Sequence, residues 1–382
     1  MLKIRRKAAR EQLPVVLRSA LRQLATREPG VVDPREGSAM KRTVVVGATL
    51  VLVAFLAAGA LAADPQGKPP AEVSFFEKSL HYTNRGIEFI YSKEQGGLER
   101  LTGLTASEVG CAKAKCHAQT CDTCHLKEVD GKPTYSLDPA VAQAACERCH
   151  GVPSGADVHR EKGMKCMSCH STREVHGDGV AYDTYMQPGV LDTRCESCHS
   201  NIKKSASHAV HKGTLDCSAC HVGEVETCFN CHVETRIKEG KSQSIPLKGM
   251  LFLVNHDGKV TTANFLTYVY RNRTMITLAP TFSHSITREG RKCRECHGTK
   301  IVQDIKDGTF TPVRWENGEV TNVQGVIPIL EGMKWNVPCL NYEESKWIPL
   351  ASPAEPLLNY SGFCTPLTRS QFAKLETGRG AS

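Results

Sequence analysis

Sixteen of the eighteen cysteines fall into eight short stretches that each end in histidine. Seven read Cys-x-x-Cys-His: Cys121–Cys124–His125, Cys146–Cys149–His150, Cys166–Cys169–His170, Cys195–Cys198–His199, Cys217–Cys220–His221, Cys228–Cys231–His232 and Cys293–Cys296–His297. The eighth, Cys111–Cys116–His117, places four residues between its cysteines. Composition alone predicts on the order of 0.03 such pentapeptides in a chain of this make-up. Two thiols one turn apart can add to the two vinyl groups of one porphyrin, and the histidine directly after the second thiol is then held beneath the iron. The residues therefore point to covalently attached haem c, eight in number. Zinc sites also use Cys-x-x-Cys pairs but need no histidine after every pair. A disulfide scaffold needs no histidine at all.

Seven histidines lie outside the motifs: His81, His159, His176, His208, His211, His256 and His284. Several stand a few residues from a motif, as second axial ligands would, and all seven are candidates for that role. Eight irons with two imidazoles each need eight, so one is missing. Either one haem is five-coordinate and open to substrate, or its sixth ligand is another side chain. Met164, Met167, Met186, Met250, Met275 and Met333 are available, and methionine would raise that haem's potential. A lysine that gives up its proton is the other choice.

These groups must be positioned by very little regular structure. Between residues 105 and 235 no apolar period of useful length appears, and Gly, Lys, Ser and Asp are frequent. The expectation is a mostly irregular, short-α fold with a haem-dominated core, in which the cofactors dictate tertiary structure. The first seven motifs start so close together that neighbouring porphyrins must be near one another. Residues 64–110 form an N-terminal arm, partly helical, that brings His81 to a haem. Residues 111–235 form a seven-haem region. Residues 236–382 hold a small β-hairpin-rich element around the eighth motif. Its signals are Met250–His256 and Lys259–Tyr270 flanking Asp257-Gly258, and Thr311–Trp315 and Val320–Leu330 flanking Asn317-Gly318. Cys339 and Cys364 are left over. In an oxidising compartment they are expected to pair, with a free thiol or an intersubunit link as alternatives.

The formal charge of +8 does not indicate a nucleic-acid partner. Residues 1–63 carry 11 Lys/Arg against 4 Asp/Glu, so seven of the eight surplus charges lie there. Met40-Lys41-Arg42, the uncharged run Thr43–Leu61 and Ala60-Leu61-Ala62 match a secretory signal peptide over residues 40–63. Residues 1–39 read as a start placed too early or as a leader extension. An uncleaved membrane anchor is the rival, since the run nearly spans a bilayer. Export to the periplasm or beyond is expected.

The motif set resembles the multihaem c-type cytochromes of anaerobic, metal- or sulfur-respiring bacteria. In count and crowding it is similar to the octahaem group, including the tetrathionate reductase-like members. That resemblance implies periplasmic haem attachment and electron transfer in anaerobic respiration. It also implies redox partner proteins: a quinol- or hydrogenase-linked donor and a downstream acceptor. In the tetrathionate reductases one haem has a distal lysine, which the missing histidine here would allow, although no particular lysine can be matched. The Cys-x-x-Cys-Lys motif of octahaem nitrite reductases is absent. Three functions stay open: an electron carrier, a reductase of sulfur or nitrogen oxyanions at one non-bis-histidine haem, and a protomer of an extracellular haem filament. Membrane association through the apolar segment, and oligomerisation, are also left open.

Overall fold

Short helices with polar caps, rather than long apolar periods, make up the chain before residue 227. The computed structural model describes residues 75–110, 117–153, 155–306 and 308–377, all within the unit Val73–Ser382. The leader, the signal segment and the thiols of Cys111 and Cys116 lie outside the described residues. In the arm, helices Arg85–Tyr91 and Leu98–Thr102 meet at Gly97, where a β-carbon would run into the backbone of Ile90 and Tyr91. Leu98 and Leu101 are buried against Val109, Val233 and Met275.

The motif region follows. Its helices are Asp122–His125, Pro139–His150, Val158–Glu161, Thr172–His176, Ala206–His211 and Ser218–His221. Each of the six buries at most one residue. Strands β1 (Leu126–Val129) and β2 (Lys132–Tyr135) form an exposed hairpin around Asp130-Gly131, which the sequence expectation did not include. Within the described residues 117–226 the buried apolar side chains are Ala118, Ala145, Val190, Ala219 and Val222. None is larger than valine. Leu137 (89% exposed) and Val210 (76%) stand in solvent.

From Thr227 onward the pattern changes. Strands β3 (Thr227–His232), β4 (Ile245–Pro246), β5 (Met250–His256), β6 (Lys259–Tyr270) and β7 (Arg273–Pro280) belong to one mixed sheet. The small pairs β8 (Thr309–Phe310) with β12 (Lys334–Trp335), and β9 (Val313–Glu316) with β10 (Glu319–Asn322), lie outside it. Strand β11 (Gly325–Pro328) joins the sheet parallel to β5. A hairpin of β13 (Leu340–Glu343) and β14 (Lys346–Pro349) follows, and β15 (Leu357–Tyr360) closes the sheet parallel to β7. The long β6 organises it. One edge pairs with β7 along its length, while β5 and then β3 share the other edge. Both expected hairpins form, β5–β6 around Asp257-Gly258 and β9–β10 around Asn317-Gly318, with positive φ at each of these four residues, as such turns need.

This part is larger than the small element expected. It starts before residue 236 and has its own apolar core. Phe229, Phe252, Phe265, Phe310, Leu278 and Ile327 are fully buried. The Phe252 and Phe265 rings stack 4.8 Å apart, and Trp335 stacks on Phe265 at 5.6 Å. Of the methionines considered as iron ligands, Met250 and Met333 are buried among these core residues, and Met275 is buried in the cluster with Leu98 and Leu101.

The expected Cys339–Cys364 disulfide is not formed. The Cys364 thiol is buried against the Leu278 carbonyl (3.5 Å), and burial pushes it up to about 12. Cys339 sits beside Thr274, at the start of β7. Four residues of strand separate Thr274 from Leu278, roughly 13 Å, beyond the roughly 7 Å that a disulfide spans between α-carbons. Among the described residues no helix is long and apolar enough to cross a membrane.

Candidate haem sites

The Cys-x-x-Cys-His spacing has a local consequence. In a helical turn, positions i, i+3 and i+4 share one face, so both thiols and the imidazole point the same way. Five motifs close such a turn, with the histidine N–H donating to the first cysteine's carbonyl: His125 to Cys121 (2.9 Å), His170 to Cys166 (3.0 Å), His199 to Cys195 (2.9 Å), His221 to Cys217 (2.9 Å) and His297 to Cys293 (2.8 Å). Cys146–His150 is the last turn of helix Pro139–His150. The thiols of these six motifs adjoin in order along the chain, skipping Cys228–His232: Cys124 with Cys149, Cys146 with Cys166, Cys169 with Cys198, Cys195 with Cys217, and Cys220 with Cys293. The six turns thus form a row.

Each of these six motif histidines faces a histidine from elsewhere in the chain. The ring centroids are 6.2 Å apart for His150 and His81, 6.0 Å for His125 and His176, and 6.1 Å for His199 and His159. They are 6.1 Å apart for His170 and His284, 6.3 Å for His221 and His208, and 6.2 Å for His297 and His211. Two imidazoles on opposite sides of one metal, each bonded at about 2 Å, have centres about 6 Å apart. The six pairs therefore fit a bis-histidine haem.

The hydrogen bonds fit as well. A ligand imidazole presents one nitrogen to the metal while the protein holds the other. Nδ1 of His125, His221 and His297 donates to the carbonyls of Ser136 (3.1 Å), Thr287 (3.1 Å) and Lys374 (2.7 Å). Nδ1 of His208 and His211 donates to Lys203 (2.8 Å) and Ser207 (3.0 Å). His170 Nδ1 bonds Glu174 (2.7 Å). His81 Nδ1 donates to the Tyr185 hydroxyl (2.6 Å), which donates onward to the Glu174 carbonyl (3.2 Å). Burial, and then the facing histidine, lower the pKa of His81, His176 and His284. Neutral imidazole is the form a metal binds.

Three supporting residues were not singled out from the sequence. Buried Glu174 takes His170 and the backbone N–H groups of Asp192 and Thr193 on one carboxylate. Burial works against its ionisation, but the hydrogen bonds outweigh that and hold its carboxyl below the usual range. Asp157 caps helix Val158–Glu161 through the N–H groups of His159 (2.9 Å) and Arg160 (3.0 Å), and also accepts the N–H of Ile286 (3.0 Å). It ties the segment of His159 to that of His284. Tyr185 is the third. A carboxylate two residues before an isolated histidine, His176, would have been the clue to the Glu174 network.

Three histidines stand apart. His256 Nε2 donates to the Met186 carbonyl (2.7 Å), and its ring meets Phe282 rather than another imidazole. In this placement Nε2 is hydrogen-bonded to backbone, unlike in the six facing pairs. His117 faces no histidine at comparable distance among the described residues. Its Nδ1 is buried without a hydrogen bond, and it adjoins His81, whose carbonyl accepts the Ala118 N–H (2.9 Å). His232 lies in β3, where Nδ1 meets the Thr235 hydroxyl (2.7 Å) and Nε2 the Asn341 side chain (2.7 Å).

No family model matches the chain. It is similar to the dissimilatory sulfite reductase MccA of Wolinella succinogenes, at 25% identity over 178 residues, which is 40% of this chain and 24% of that protein. The chain thus spans about a quarter of the curated relative's length. Among solved structures it resembles the octaheme cytochrome c of Shewanella oneidensis, with a TM-score of 0.26 and 18% identity, covering 39% of this chain and 53% of that one. The similarity to the reductase is distant and singles out no activity for this chain.

Proposed function

We propose that the chain is an exported multihaem c-type cytochrome that passes electrons along a row of six bis-histidine haems in anaerobic respiration. The six imidazole pairs carry this reading. In each, two thiols and an imidazole on one helical face would hold the porphyrin, and a second imidazole would fill the remaining axial position. The bound haem iron supplies one-electron transfer by cycling between its ferric and ferrous states. The residues of the chain fix its ligands: Glu174 holds the His170 ring, Tyr185 holds the His81 ring, and Asp157 anchors the backbone segments of His159 and His284. The motif count sets a ceiling of eight haems. A membrane quinol- or hydrogenase-linked protein is the proposed donor and a second redox protein the acceptor. The signal-like segment, residues 40–63, supports export to the periplasm or beyond.

Electron paramagnetic resonance of two variants tests this reading. His284→Ala is expected to convert one low-spin ferric haem per chain to high spin, while His256→Ala leaves the spectrum unchanged. An unchanged spectrum for His284→Ala, or turnover of a small substrate at a physiological rate by the native protein with a redox dye, overturns it.

One observation favours a second reading, reduction of a sulfur or nitrogen oxyanion. Among the described residues no histidine faces the His117 motif, so a haem there would have one axial position left to substrate or to a non-histidine ligand. A high-spin ferric signal in the native protein that is lost in Cys116→Ala supports it. An entirely low-spin native spectrum rules it out.

A further inference from the structure

The Cys228–His232 stretch spells the same motif as the other six turns but folds differently. His232 donates its N–H to the Gln243 carbonyl (2.9 Å), not to Cys228. The five residues form most of β3, parallel to β6, with Cys228 opposite Leu266, Cys231 opposite Tyr268 and His232 opposite Val269. Paired residues share a face of a sheet, and successive residues alternate. Leu266 and Tyr268 lie on one face of β6, and Val269 lies on the other. A one-residue bulge lets both cysteines reach the first face. It is centred on Asn230, whose φ is 63°. Both thiols therefore lie on one side of the sheet and the imidazole on the other. One porphyrin cannot be bonded to those thiols and ligated by that imidazole at once.

The surroundings lock this arrangement. Asn230 is 1% exposed. Its Oδ1 accepts the Leu340 N–H (3.2 Å), its Nδ2 donates to the Leu340 carbonyl, and its own N–H donates to the Thr267 hydroxyl (2.6 Å). Phe229 is fully buried in the apolar core. His232 has both ring nitrogens engaged, by Thr235 and Asn341. In the ligand-like histidines above, only Nδ1 is engaged by the protein.

We propose that the Cys228–His232 motif carries no haem: it is a strand of the sheet, its thiols face away from its histidine, and His232 acts as a buried hydrogen-bonding residue that pins the β13–β14 hairpin. The chain then carries haem at no more than seven of its eight motifs. This rests on the haem reading above, and the test separates the two. The native holoprotein is digested, and its cysteine peptides are mapped by mass spectrometry. The peptide with Cys228 and Cys231 is expected without porphyrin, as two thiols or one disulfide, while the peptides of the six helical motifs carry it. The double variant Cys228→Ala/Cys231→Ala is expected to keep the native haem content per chain, measured by pyridine haemochrome. Cys217→Ala/Cys220→Ala is expected to lose one haem. A porphyrin adduct on Cys228 and Cys231, or loss of one haem from the first variant, overturns the inference. Bare peptides at the six helical motifs overturn the electron-transfer reading instead.

Discussion

Residues 117–226 and residues 227–377 solve the problem of folding in opposite ways. The first stretch buries no apolar side chain larger than valine and leaves leucines and valines in solvent. The second stacks phenylalanines between strands. A polypeptide that buries little apolar surface has little to offset its conformational entropy. In the motif region, on the proposed reading, that surface comes from porphyrins attached to the chain. In the sheet, the side chains supply it. The same Cys-x-x-Cys-His letters sit in both regions: every one in the first, and Cys293–His297 outside the sheet in the second, takes a helical turn, while Cys228–His232 within the sheet does not.

The largest test of this contrast is to withhold haem. Chain produced in a host lacking the haem-attachment machinery is expected to exchange the amides of residues 117–226 at rates near those of an unfolded chain, while β6 and β7 stay protected. Hydrogen exchange followed by mass spectrometry measures both. Protection of helix Pro139–His150 without haem would remove the distinction.

A smaller effect concerns the sheet alone. Phe252→Ala is expected to destabilise the β region by about 3–5 kcal/mol. Trp315, Trp335 and Trp347 all lie in that region, so their fluorescence during urea unfolding of the haem-free chain reports it. The six bis-histidine spectra of the holoprotein should remain. If they collapsed with the sheet, the two regions would be one cooperative unit.

The smallest effect sharpens the picture within the motif region. Asp157→Ala removes a helix cap, at about 1–2 kcal/mol, and frees the segment of His284. Loss of low-spin character at the His199 and His170 sites on mild heating is expected, with the other four unchanged. Magnetic circular dichroism can follow it.

Part of this was legible from residue order. The helical motif turn is a local property, set by spacing. So were the β5–β6 and β9–β10 hairpins, announced by Asp-Gly and Asn-Gly between apolar runs. Six of the seven non-motif histidines singled out by their position face a motif histidine, whereas His256 meets Phe282. The partners could not be assigned beforehand. His81 meets His150 rather than the nearer His117, and His284 meets His170 rather than the nearby His297, because contacts distant in the chain depend on how the intervening segments pack. Glu174, Asp157 and Tyr185 gave no periodic or motif signal, since their roles exist only once distant backbone groups converge on them.

The sequence by itself determined the chemistry available to this protein. Two thiols and an imidazole spaced to share a helical face are a local arrangement, and nothing distant is needed to read it. Tertiary structure alone decided where that arrangement is realised. At six motifs the chain is free to close the turn and bring a second imidazole opposite the first. At Cys228–His232 the neighbouring β6 imposes strand alternation, and a period of two places on opposite faces what a helical period of 3.6 would place on one.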